Sequence, residues 1–319
     1  MQLELSNLVA ALPGGVAQGL IWGIMAIGVY LTYKILDVAD LTVDGTMATG
    51  GAVFVMMTIS GFPIWAGMVA AFVVGMLAGL VTGIFHTAMG IPAILSGILT
   101  QLGLWSINLR ILGMANRAIS VDNYPLLVSL RYIPRTMVVT LIFILALIIV
   151  LYWFFGTERG SSIRATGANQ AMARAQGINT NFNVVLGLML SNGIVSLCSA
   201  LYTQYQGFAD VNAGRGAIVI GLAAVIIGEV LFGRLAARNF GVMLFAVVLG
   251  AVIYYLVIQV VLWLGLNAND MKLISAIVVA IFLAVPFWRD RMLARAQDSY
   301  FLRWAGRLLG KKKGDGDRA

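Results

Sequence analysis

The groups in this chain that are able to do chemistry are few. Among its 319 residues there is one histidine, His86, and one cysteine, Cys198. A His-based metal site or a Cys–His catalytic pair would need residues from another chain, and no disulfide can close within this one. No G-x-x-x-x-G-K-[ST] run occurs, so the chain carries no phosphate-cradling loop of that kind. What remains is a set of polar side chains lodged in apolar runs: Asp40, Asp44, Gln101, Asn108, Arg110, Asn192 and Glu229. Ionisable groups in such runs are costly and often mark a solute or ion route. These residues are therefore the candidate translocation path, and no catalytic residue or metal ligand is assigned.

Each has a plainer role beside that one. Asp40 and Asp44 stand at a junction between two apolar runs, where they suit a polar turn and the N-cap of a helix over 46–60. Glu229 lies about a turn from Arg234 and Arg238 and suits an ion pair with either. Arg110 suits an arginine snorkelling to an interface, on the same run as Gln101, Ser106 and Asn108. Asn192, with Ser191 and Ser196, suits interhelical hydrogen bonding. His86 falls beside an expected turn over 87–90, and Tyr202, Tyr205 and Phe208 read as interfacial aromatics.

The elements that must position these groups follow from composition. The chain is 61% apolar and 11% charged, against roughly 45–50% and about 25% for a soluble domain. Such an excess cannot be tucked into one water-soluble core, so the chain is expected to be an all-α polytopic membrane protein. Apolar runs between charged or turn-forming residues predict about nine spans (range eight to ten): 14–36, 41–60, 63–85, 92–113, 136–155, 183–206, 216–233, 240–264 and 273–288. The chain holds 36 glycines, which suits close helix–helix approach.

Charge sets the expected orientation. Of 21 Lys and Arg, fifteen fall on one side of a nine-span arrangement when the C-terminal end is cytoplasmic. The positive-inside bias then gives N-out and C-in. Arg117, Arg131 and Arg135 in the 114–135 connection fall on the wrong side, a discrepancy that a re-entrant segment there would absorb. Residues 1–13 lack the basic region of a cleavable signal and suit an interfacial segment. Residues 14–288 form the membrane domain. Residues 289–319 form a basic cytoplasmic tail, an amphipathic helix against membrane lipids followed by a disordered end. The net charge of +8 is thereby topology and lipid contact, with no nucleic-acid partner.

One connection is long and specific. Residues 156–182 offer Ser161 and Ser162 as caps for a short turn ended by Gly167. Asn169 can cap a second helix over 170–176, stopped by a left-handed Gly177. Small residues at Ala165, Ala168, Ala171, Ala173 and Ala175 leave a shallow surface for a partner. An ordinary surface pair of helices would look the same on pattern alone.

The run Arg164-Ala165-Thr-Gly167-Ala-Asn169-Gln-Ala-Met-Ala173-Arg174-Ala-Gln-Gly177-Ile178-Asn179 resembles the cytoplasmic coupling loop of bacterial ABC-importer permeases. The matching family is the binding-protein-dependent permeases of the branched-chain amino acid and ribose type, with the pattern R-A-x-G-x-N-x-x-x-A-x-x-x-G-I-N. The likeness covers roughly residues 14–288. A second segment, Asp40-Leu-Thr-Val-Asp44-Gly45, is similar to the subgroup associated with tryptophan or tyrosine transport. Asp44 placed before Gly45 departs from the sugar-type pattern.

The resemblance implies an ABC-importer permease bundle in the bacterial cytoplasmic (inner) membrane, paired with a second permease copy as a homodimer. A separate ABC ATPase, holding ATP and Mg, would grip the 156–182 loop, and an extracytoplasmic substrate-binding protein would deliver the solute. Gly167 and Gly177 would shape the coupling element, and Arg164 and Arg174 would supply its polar contacts. The cargo implied is a small solute, an aromatic amino acid first and a sugar or nucleoside second. An ion-coupled secondary transporter would show acidic groups at mid-membrane in discontinuous helices, where Glu229 alone is a candidate. A membrane enzyme would need clustered His, Asp or Cys.

Overall fold

In the computed structural model of the chain, the described residues are 5–236, 239–264, and further on 273, 276–282 and 284. The apolar runs fold there as ten α-helices: α1 (Leu5–Tyr30), α2 (Thr42–Ile59), α3 (Ile64–Thr87), α4 (Ala93–Leu112), α5 (Ile133–Gly156), α6 (Glu158–Ala168), α7 (Gln170–Ala175), α8 (Thr180–Gln206), α9 (Ala217–Ala236) and α10 (Phe240–Trp263). The chain divides into two compact units, Met1–Met271 and Lys272–Ala319, and these helices all belong to the first. In the second, residues 276–282 are helical. The expected span 273–288 is thus only partly covered. Residues 1–4, Arg238, Lys272, the tail 289–319 and the Arg234 side chain lie outside the described residues.

Among the described residues, six segments are long and apolar enough to cross a bilayer: Val9–Ile35, Thr42–Ile59, Ile64–Thr87, Ile133–Gly156, Thr180–Gln206 and Phe240–Trp263. Ala217–Gly233 is a shorter apolar helix. Helix α4 spans 20 residues, but Ser96, Thr100, Gln101, Ser106, Asn108 and Arg110 dilute its apolar character. The fold is an all-α polytopic bundle, and its two minor strands, β1 (Asn116–Ala118) and β2 (Phe208–Asp210), were not expected from the sequence. They pair antiparallel, Arg117 opposite Ala209, and tie the 114–135 connection to the chain following α8.

Burial sorts the helices. The α1 and α8 segments are 78% and 72% buried, whereas the highly apolar α5 is only 22% buried. A helix this apolar with so little protein around it is one that lipid covers. Helix α8 is the central post, held by side-chain bonds to neighbouring backbones: Ser191 donates to the Gly28 carbonyl on α1, Ser196 to Ala71 on α3 and Ser199 to Met47 on α2. Gly75, Gly79 and Gly83 of α3 lie so close to α8 that a Cβ on any of them would press on its backbone or side chains. This is the small-residue packing that membrane bundles use in place of a hydrophobic driving force.

Several local expectations are corrected. Helix α1 passes through Pro13, so residues 5–13 are helical and continuous with the first span instead of being set off by Pro13. Proline removes one backbone bond there, at the exposed Val9 carbonyl end, which limits the loss. Past Tyr30 the helix relaxes into a π-helical turn, Leu31–Ile35. Asp37 then adopts φ 55°, a left-handed conformation that aspartate tolerates better than most residues. That residue turns the chain back into the bundle, and α2 begins at Thr42, four residues before the expected helix start.

Candidate functional site

The 156–182 connection folds as two short helices at one end of the bundle. The start and end of its first helix differ from the expected ones, while the second helix is capped as expected. Thr157, not Ser161 or Ser162, caps α6 by accepting the Gly160 amide, and Gly167 lies inside α6 rather than ending it. Thr157 wins because its backbone is already extended at the point where α5 stops, so the hydroxyl reaches the next turn at once. Asn169 ends α6 and caps α7, its side chain accepting the Met172 amide at 3.0 Å. Gly177 has φ +80°, and Ile178 closes the turn by donating to the Ala173 carbonyl at 3.0 Å.

The loop's arginines reach back into the protein. Arg164 donates to the Phe155 carbonyl at 2.7 Å, tying α6 to the end of α5. Arg174 Nε donates to Thr180 Oγ1 at 2.8 Å, tying α7 to the start of α8. Asn183, which sequence reading did not single out, donates from α8 to Ser162 and Thr166 and pins α6 from the other side. Ala173 is buried and Ala165 half-buried, while Asn169, Met172 and Arg174 are exposed. Met172, at 64% exposure, puts an apolar tip on an otherwise polar element.

Gly167 faces the π-turn. A Cβ at that position would collide with the Ile35 carbonyl and press on Leu36. Leu36 in turn lies against Gly187 of α8. From there residues 37–39 lead to the buried Asp40, which meets Asn192, about 18 Å along α8 from its start at Thr180 at 1.5 Å per residue. The coupling-loop residues and the Asp40 region are thus joined by one short stretch of chain.

Asp40 is 2% exposed. Its Oδ1 accepts the Thr42 amide at 2.9 Å and its Oδ2 accepts Asn192 Nδ2 at 2.6 Å. Asn192 Oδ1 accepts the Thr46 hydroxyl at 2.7 Å. A threonine chain continues across three helices, Thr42 to Thr82 at 2.7 Å and Thr82 to Thr100 at 2.9 Å. A buried carboxylate stays where such donors meet it. Asp40 and Asn192 therefore lock α2 onto α8.

Asp44 does different work from the expected cap of its own helix. It lies in the first turn of α2, yet its carboxylate accepts the amides of Gly216 and Ile218 at 3.0 and 2.9 Å. It caps α9 from another helix, meeting the orphan N–H groups and positive end of that helix dipole. Beside it lies a cavity of about 170 Å³ whose walls include Asp44, Gln101, Trp105, Asn108 and Arg215. Of the candidate path residues, the structure brings Asp44, Gln101 and Asn108 together. Arg110 is exposed in the last turn of α4, outside that lining. Glu229 is elsewhere, accepting Lys34 Nζ at 2.7 Å with both side chains partly exposed. The Arg234 side chain and Arg238, its expected partners, lie outside the described residues. Arg215 and Trp105 escaped sequence reading. Arg215 stands as a basic residue of a connection, and Trp105 in an apolar run where an aromatic side chain carries no local signal of a site.

His86 Nδ1 bonds to the Ile91 carbonyl at 2.9 Å and closes the α3–α4 turn. Among the described residues no three His, Cys, Asp or Glu gather as a metal site would require.

Comparison with known proteins places this arrangement. Residues 12–285 match the family model described as branched-chain amino acid transport system / permease component. A tyrosine transport system permease protein of Clostridioides difficile is 38% identical over 84% of this chain and 88% of its own length. A galactofuranose transporter permease protein of Escherichia coli is 30% identical, over 83% of this chain and 76% of its own. An inner membrane ABC transporter permease protein of the same species is 28% identical, over 69% of each chain.

Proposed function

The chain belongs to the branched-chain amino acid transport permease family, a non-catalytic, multi-pass subunit of the inner membrane, and from that premise we propose that it carries an aromatic amino acid inward. Transport is driven by ATP on a separate ATPase, with cargo delivered by an extracytoplasmic binding protein. Two copies of the chain form the path, N-out and C-in. The α6–α7 element is the ATPase dock: Asn169, Met172 and Arg174 are exposed on it, Arg174 also tying α7 to α8, while Arg164, Ala173, Gly167 and Ile178 hold its shape.

The observation that carries this reading is the seat of Gly167 on the Ile35 carbonyl. A force applied to α6 reaches the π-turn with no soft side chain between. From there it acts on the 36–41 segment, on Asp40 and on the start of α2. Packed elements of this sort move as units between discrete arrangements rather than bending continuously.

The amino-acid cargo is supported by the tyrosine permease relative, and the galactofuranose permease relative supports a sugar as the competing reading. Reconstitution in proteoliposomes with the ATPase and binding protein decides. ATP-dependent uptake of L-tyrosine is expected. Uptake of a sugar with no amino acid moved would overturn the cargo, and failure of any ATPase to co-purify would overturn the importer.

A further inference from the structure

Asn108 is fully buried in α4, and neither its amide nitrogen nor its amide oxygen has a hydrogen-bond partner. Native interiors rarely leave both ends of a side-chain amide unpaired, because each forfeits the bonds it made in water. Nearby interior polar groups of the same bundle, Asp40, Asn192, Thr82 and Thr100, are all satisfied. Trp22 Nε1, Thr140 Oγ1 and Gln204 Nε2 are also buried without a partner, but Asn108 is unpaired at both ends of its amide and lines the cavity between α2, α4 and the 211–216 turn.

That cavity has polarity at two points of opposite sign. Asp44 supplies a carboxylate whose oxygens, each accepting one backbone amide, keep further lone pairs. Arg215 supplies a guanidinium, suited to holding a carboxylate with two parallel bonds. Gln101 adds a second amide, and Trp105 with Leu102 gives an aromatic and aliphatic wall. At about 170 Å³ the space equals some five or six waters at roughly 30 Å³ each. That is the scale of a single small solute.

We propose that this cavity is a transit subsite for a zwitterionic amino acid. Asp44 takes the ammonium, Arg215 takes the carboxylate, Asn108 bonds the head group between them, and Trp105 packs on the side chain. The subsite rests on the amino-acid reading above and adds where on this chain the cargo is held. Neither a sugar, which has no charges, nor a metal cation would use both charged walls.

The test is equilibrium binding of radiolabelled L-tyrosine to the purified permease–ATPase complex without binding protein, beside ATP-dependent uptake by the complete transporter. Saturable tyrosine binding is expected, weakened at least fivefold by Asn108→Leu and by Arg215→Gln, with Arg215→Lys restoring part of it. Tyramine and 4-hydroxyphenylpropionate, each lacking one end charge, should compete at least fivefold less well than tyrosine. Asn108→Leu removes an unpaired polar group, so its melting temperature should hold or rise while binding falls, an outcome no structural role produces. Tyrosine uptake with no saturable binding, or with binding unchanged in the variants, overturns the subsite alone. Uptake of a sugar and of no amino acid overturns both readings.

Discussion

The Asp44 carboxylate accepts the Ile218 amide at 2.9 Å across 174 positions of chain. One side chain thus sets where α9 begins and how it meets α2. Replacing Asp44 with Ala removes both acceptors and leaves the first amides of α9 unmet. Capping losses run to about 0.5–2 kcal/mol, with a similar contribution from charge at the helix dipole. Asp44→Ala is expected to lower the melting temperature of the detergent-purified chain, and Asp44→Asn, which keeps one acceptor oxygen, to lower it less. Equal melting of all three would show that the cap contributes nothing.

Gly167 offers a sharper separation of fold from coupling. A single methyl at this position meets the Ile35 carbonyl, and overpacking of this kind costs about 1–3 kcal/mol. The loop is exposed at its tip and tied by Arg164, Arg174 and Asn183, so the strain shifts α6 before it unfolds the bundle. Gly167→Ala in the full complex should cut ATP-dependent uptake at least tenfold while ATP hydrolysis continues. Uptake that falls only in step with hydrolysis would mean the contact does not transmit force.

The Asp40–Asn192 bond should behave as a coupled pair. Asn192→Leu strips a donor from a carboxylate that is 2% exposed. Hydrogen bonds to charged groups contribute about 1.5–3 kcal/mol. Asp40→Asn and Asn192→Leu together should therefore be less destabilising than the sum of the two, with a coupling energy of about 0.5–3 kcal/mol in denaturant or thermal unfolding. Strict additivity would place the two residues in separate networks.

How much of this was legible in the sequence depended on range. The apolar runs, the Asn169 cap and the left-handed Gly177 rest on chemistry within four or five residues, and each was readable from local spacing. The cap at Thr157 was misplaced onto Ser161 and Ser162 because three hydroxyl residues compete over six positions and only the backbone chooses. Asp44 looked like the cap of its own helix, because nothing in a linear reading reveals Gly216 and Ile218 waiting beside it. Pairing of β1 with β2 and the cavity that Asn108 and Arg215 both line escaped for the same reason. Each joins segments that become neighbours only after α8 has crossed the bundle.

The last prediction concerns Glu229, the one acidic residue that kept an ion-coupled mechanism in view. Its pair with Lys34 is 2.7 Å long, but the two side chains are 39% and 46% exposed. Exposed pairs of this kind contribute about 0–1 kcal/mol. Proton- or sodium-coupled carriers instead hold their acidic group near the bilayer midplane, in discontinuous helices. Glu229→Gln should therefore change uptake by less than twofold, and collapsing the proton and sodium gradients should leave ATP-dependent uptake unaltered. If uptake by the reconstituted complex vanished with either gradient, or with Glu229→Gln, the driving force would have to be moved from the ATPase dock to this ion pair.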